Sequence, residues 1–313
     1  MKTPPKNVAA SVRNRLKILA EKRGENFDLV LVLYGIERLL YRLSQSELHK
    51  KFILKGAMLF TIWGGTLHRE TRDLDLQGFG DSSVDGLVEQ FRSIIGMQVP
   101  DDGIEFIDVQ GEAIRALQDY GGARLTIRAK LTTARISIQV DVGFGSRITP
   151  PPKEIDFPTL LEFPAPRLRA YPVETVVAEK LQAMVDLGQR NSRLKDYFDL
   201  WYLAKNFYFD GSILARAIEG TFSSRKTVIP VSEPVGLSAK FFDDAYRQIQ
   251  WRAFIKKVDR QSQSMAFGDI AGLLRKFLMP PMKAASSGVL FAEVWEKGGP
   301  WKPYPPTSSD SLR

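Results

Sequence analysis

Two consecutive segments of this chain alternate apolar and polar residues so regularly that they demand a sheet. Leu125, Ile127 and Ala129 in the first, and Ile136, Ile138, Val140 and Val142 in the second, occupy every other position. Side chains two apart on a strand share a face, so each segment buries one face and leaves the other polar. Leu74 and Leu76 repeat the pattern in a third strand, and Phe52 to Leu54 form a short fourth before a turn at Gly56 and a short helix to Trp63. The other apolar residues follow a helical period. Val84, Leu87, Val88, Phe91, Ile94 and Ile95 line one helix, while Val8, Val12, Leu16 and Leu19 line another whose remaining faces carry Arg13, Arg15, Lys17 and Lys22. The stretch from Asp28 to Leu43 is apolar on several sides, as in a helix packed beneath a domain. These elements predict a mixed α/β fold, a small mixed sheet with helices on it.

Proline sets the next boundary. Pro150, Pro151 and Pro152, followed by Pro158, Pro164, Pro166 and Pro172, cannot sit in regular helices or central strands, so residues 151–172 read as an extended connector. The expected organisation is N-terminal helices over 1–50, a core over 51–150, the connector, a helical lobe over 173–280, and a disordered tail over 298–313 that is rich in Pro, Ser and Gly.

The 313 residues include no cysteine and only two histidines, His49 and His68, which excludes thiolate chemistry, disulfides and histidine-rich metal sites. Any metal must be held by oxygen, which points to magnesium, manganese or calcium. No apolar stretch reaches the roughly 20 residues of a membrane span, and the start lacks a signal-peptide hydrophobic region, so a soluble, cytoplasmic protein is predicted. The formal net charge of +8 favours a polyanionic partner.

The segment richest in chemistry runs from Gly64 to Leu76. Asp73 and Asp75 point together while Leu74 and Leu76 enter the core, and two aligned carboxylates make a site for a hard cation. On the last strand Asp141 lies on the polar face with Arg135, Ser137 and Gln139, where it can complete a metal cage or simply remain a solvated polar residue. Thr71 and Arg69 fall on the same predicted strand face as Asp73. Thr71 also suits a strand for its shape alone, and Arg69 suits either phosphate or solvent. Within the helix Val173 to Leu187, Lys180 lies inside the stripe of Val176, Val177, Leu181 and Met184, so it either meets an internal partner or snorkels out. Asp199 is four residues after Lys195, the spacing of a surface ion pair.

The order Lys55-Gly56-Ala57-Met58, a short helix, Arg69-Glu70-Thr71-Arg72-Asp73-Leu74-Asp75-Leu76, and later Val140-Asp141-Val142 resembles the polymerase-beta-like nucleotidyltransferases, and within them the nucleotidyl transferase AbiEii toxin family. Glu179-Lys180-Leu181 and Lys195-Asp196-Tyr197-Phe198-Asp199-Leu200 match two further motifs, and the similarity runs from about Asn7 to about Pro280. It implies a polymerase-beta-like core, with metal ligands at Asp73, Asp75 and Asp141 and catalytic roles for these three, Lys180 and Asp196. Lys55, Gly56, Ala57, Arg69, Thr71 and Lys180 would bind nucleotide. Ala57 departs from the Gly or Ser more usual in the family, which removes any hydroxyl contact to phosphate there.

The resemblance further implies a magnesium-dependent (or manganese-dependent) toxin of a type IV toxin–antitoxin or phage-defence pair, with its site in the cleft between core and helical lobe. Its substrates would be an NTP and an RNA acceptor such as the tRNA 3′ end, and a cognate antitoxin would be encoded nearby. Two alternatives stay open: transfer to a protein hydroxyl, and a non-catalytic nucleotide- or RNA-binding module.

Overall fold

The computed structural model describes residues 7–64, 69–114, 121–258 and 265–304. It divides into two compact units. One comprises residues 1–146 and 152–171, the other residues 147–151 and 172–313.

The first unit opens with α1 (Val8–Arg23) and α2 (Phe27–Gln45). Asn7 and Asn26 cap them, each with its side-chain oxygen accepting first-turn amides that lack a helical partner. β1 (Phe52–Lys55), α3 (Leu59–Gly64), β2 (Asp73–Gly78) and α4 (Val84–Ile95) follow, then β3 (Glu105–Ala113), β4 (Gly122–Leu131), β5 (Ala134–Gly143), β6 (Lys153–Asp156) and β7 (Arg167–Ala170). The strands form one mixed sheet in the order β3-β4-β5-β2-β1-β7-β6, parallel at β2/β5 and β1/β7 and antiparallel elsewhere. Its apolar face holds Leu74, Leu76, Leu125, Ile127, Ile136, Ile138, Val140 and Val142, all buried. α2 lies close against it, since a Cβ on Gly35 would stand 2.8 Å from the Ile138 side chain. The fold class is mixed α/β, as the alternating segments require.

Residues 151–172, expected as an extended connector, contain β6 and β7, and β7 pairs with β1 inside the sheet. The prolines do stay out of both strands: Pro158, Pro164 and Pro166 fall between them and Pro172 beyond. Two four-residue strands fit in the gaps, and buried Leu168 and Ala170 anchor β7.

The second unit holds α5 (Val173–Leu187), α6 (Leu194–Asn206), β8 (Phe209–Asp210), α7 (Gly211–Ser224), α8 (Ala239–Phe242), α9 (Ala245–Val258), α10 (Phe267–Ser287), β9 (Glu293–Trp295) and β10 (Trp301–Pro303). Its core is aromatic: Tyr197 packs on Phe241, Phe242 and Phe267, and Trp251 stacks on Phe267.

The first residues of the expected disordered tail are ordered, since β10 pairs with β9. α10 continues through Pro280 and Pro281. Proline has no amide hydrogen, so Pro281 leaves the carbonyl of Phe277 without its helical donor. The indole of Trp301 donates to that oxygen instead, at 3.0 Å, and its ring stacks on Phe277. Trp295 donates to the carbonyl of Ala204 at the end of α6, at 2.7 Å. Both tryptophans thus bring this segment onto the helices by satisfying carbonyls and burying rings. Residues 305–313 lie outside the described residues.

Candidate active site

In β2 the burial alternates as predicted, with Leu74 and Leu76 fully inside and Asp73 and Asp75 on the opposite, part-open face. Pairing then sets the neighbours. Asp75 stands opposite Asp141 on β5 and opposite Lys55 on β1, while Asp73 stands opposite Gln139. Directly paired residues share a sheet face, so three carboxylates and one lysine are brought to the same face.

Gly56 follows immediately and cannot be replaced without moving Asp75. Its φ is +74°, a conformation that favours glycine, and a Cβ there would lie 2.0 Å from Asp75 Oδ2 and 2.6 Å from Cγ. The group that stands close to Gly56 in this structure is the carboxylate of Asp75. Ala57 beside it is buried.

Asp141 is not open. Arg124 Nε and Nη2 donate to its two carboxylate oxygens, each at 2.9 Å, in a bidentate pair across β4 and β5. This holds the Arg124 guanidinium's pKa above its ordinary value, through the hydrogen bonds to Asp141 first, with the charges of Asp141, Asp73 and Glu112 adding. Sequence reasoning missed Arg124, although the signal was there. Leu131 and Ala134 pair across the two-residue turn Thr132-Thr133, and positions equally far from that turn must face each other.

Asp73, Asp75 and Asp141 lie on one sheet face and carry the kind of oxygen donor that a hard cation takes. As the side chains stand, no group of three or more His, Cys, Asp or Glu among the described residues is set to hold a metal.

Arg69 and Thr71 do not extend the strand. β2 begins at Asp73, because β1 leaves the sheet at Gly56 and pairing with β5 starts at Gln139. Arg69 is buried rather than solvated, and it donates to the carbonyl of Glu70 at 3.4 Å. Gly65, Thr66, Leu67 and His68 lie outside the described residues.

In the second unit Lys180 has internal partners and does not snorkel. Its ammonium donates to Asp196 Oδ1 at 2.6 Å and to Asp199 Oδ2 at 2.8 Å, and both acids are essentially buried. Arg193 Nε lies 2.7 Å from Asp196 Oδ2 as an ion pair without hydrogen-bond alignment. Asp199 thus departs from the expected surface pair with Lys195. α6 is buried around much of its girth at this level, so Asp199 turns inward while Lys195 stays exposed.

A family model, the nucleotidyl transferase AbiEii toxin of type IV toxin–antitoxin systems, matches residues 38–272, well over half of the 313-residue chain. The chain belongs to the AbiEii family. As an AbiEii-family member it is a nucleotidyltransferase, and membership implies an NTP substrate and a cognate antitoxin. No curated protein matches it significantly. Among solved structures it is similar to JHP933 from Helicobacter pylori, at 17% identity and a TM-score of 0.45 over 80% of this chain and 87% of that one. It is also similar to a putative nucleotidyltransferase from H. pylori, at 17% identity and a TM-score of 0.42 over 80% and 89%. No helix among the described residues is long and apolar enough to cross a membrane.

Proposed function

We propose that this AbiEii-family chain transfers a nucleotidyl group from an NTP to an RNA acceptor such as the 3′ end of tRNA, as a cytoplasmic toxin acting in phage defence. In the reaction the acceptor hydroxyl attacks the α-phosphorus, forming the new P–O bond, and the α–β bridging bond breaks to release pyrophosphate. The observation that carries this reading is the register that sets Asp75 beside Asp141 with Asp73 on the same face.

Asp73, Asp75 and Asp141 would hold magnesium or manganese, which when bound neutralises phosphate charge and lowers the pKa of the attacking hydroxyl. Gly56 keeps the space that Asp75 needs, and Lys55 places a cation on the same sheet face for the nucleotide's phosphates. Arg69, Thr71 and Ala57 are assigned to nucleotide binding on the family resemblance, which also implies catalytic roles for Lys180 and Asp196. Incubation with total bacterial RNA, each radiolabelled NTP and magnesium tests the proposal. Label in tRNA supports it, whereas label only in protein would move the acceptor to a protein hydroxyl.

The RNA acceptor has a second signature. Arg13, Lys17 and Lys22 on α1, and Arg252, Lys256 and Lys257 on α9, are exposed; Arg260, which follows in sequence, lies outside the described residues. Phosphate contacts release bound counterions, so for about six contacts affinity should fall by roughly a thousandfold between 50 and 200 mM salt. Filter binding of tRNA across that range measures the slope. A salt-insensitive complex would argue against an acceptor held by its phosphates.

A further inference from the structure

We propose that Arg124 couples the binding of the divalent cation to that of the nucleotide by exchanging partners: it holds Asp141 while the site lacks a cation, and passes to the nucleotide's phosphates when a cation takes Asp141. The inference rests on the cation reading above and adds a positioning residue to it.

The geometry leads there by elimination. Both oxygens of Asp141 accept from Arg124 at 2.9 Å, and the guanidinium also feels the charge of Asp73, so it sits among the carboxylates a cation would use. A cation arriving at Asp141 would meet strong repulsion from a guanidinium that already holds both its oxygens, so the two compete for this carboxylate. Arg124 then keeps its charge but loses its acid. Glu112, its partner on the other side across β3 and β4, sits on an exposed edge strand where water screens the attraction. A polyphosphate arriving with the cation offers the displaced planar fork a pair of anionic oxygens instead. Arg124 is two-fifths exposed, leaving it free to swing, whereas the backbone of β4 is fixed by pairing on both sides.

The consequence is positive linkage. A cation alone must break the Arg124–Asp141 pair without compensation and binds weakly; a cation with nucleotide does not. Removing the guanidinium should reverse the first effect and shrink the second.

The test uses the full chain and Mn2+, whose free ion is counted by electron paramagnetic resonance, with and without a non-hydrolysable NTP analogue. In Arg124→Gln, Mn2+ alone should bind at least about fivefold tighter than in wild type, the low end of ordinary coupling between sites. The gain in Mn2+ affinity on adding nucleotide should fall by a similar factor. Arg124→Lys, which keeps the charge but not the fork, guards against a folding defect and should fall between the two. Asp75→Asn marks which Mn2+ belongs to the site. If wild type binds Mn2+ through Asp75 and Arg124→Gln shows equal or weaker affinity with the same nucleotide effect, the partner exchange is wrong and the cation reading stands. If no Asp75-dependent Mn2+ binding occurs in either protein, with or without nucleotide, the cation reading itself fails.

Discussion

Asp75→Ala is expected to lower nucleotidyl transfer by on the order of a hundredfold or more, because charge stabilisation organised by a metal contributes several kcal/mol to such reactions. The fold should survive. Asp75 occupies the part-open face of β2 and contributes nothing to the apolar face that Leu74 and Leu76 fill. Loss of the carboxylate also removes the group that a Cβ at position 56 would meet. Transfer of label to RNA, read beside a melting curve, separates the two effects. Full magnesium-dependent activity in Asp75→Ala, with an unchanged melt, would remove Asp75 from the site. Asp73→Ala should behave alike.

The second large effect is on stability. Lys180→Met keeps the length of the side chain and its apolar stem, and a lysine that merely snorkelled would tolerate the change. Here the ammonium is bonded to two carboxylates buried to within a few per cent, so its removal takes a positive partner from both in the interior. Breaking a buried ion pair from one side costs about 3–5 kcal/mol, and Arg193, half exposed and paired with Asp196 alone, cannot replace it. We expect a clear drop in melting temperature, largely restored by changing the acids too, in Lys180→Met with Asp196→Asn and Asp199→Leu. An unchanged melt in the single variant would mean that the three groups are not coupled. Activity lost in the triple variant despite its recovered stability would then belong to chemistry rather than to folding.

Much of this was legible beforehand, and the part that was not has physical causes. β2, β4 and β5 each bury one face, and burial writes the period of two that reveals a strand. β3 is an edge strand with only Val109 buried, so nothing in its composition requires alternation and the sequence reading passed over it. β6 and β7 are too short to show a period between their prolines. The acid pair was visible because two aspartates separated by one leucine need no tertiary information to share a face. Arg124 needed one more step, counting outward from the turn at Thr132-Thr133. Asp199 was misread because a charge four residues from a lysine is ordinarily solvated, and nothing local signals that this turn of α6 is enclosed.

The indole of Trp301, filling the gap left by Pro281, separates two lengths that are easily confused. The stretch that marks the chain as a nucleotidyl transferase ends at residue 272, partway along α10, whereas the bonds that complete the helix come from about 30 residues further on. Cut after residue 297, the chain would keep every motif of its family yet leave the carbonyl of Phe277 without its donor and the rings of Phe277 and Trp295 without the Trp301 ring against them. Such a protein should melt several degrees lower, in line with the roughly 1–3 kcal/mol of an unmet buried acceptor. What inheritance recognises as the toxin is thus shorter than what must fold together, and a shortened chain that loses activity would report on its architecture before its chemistry.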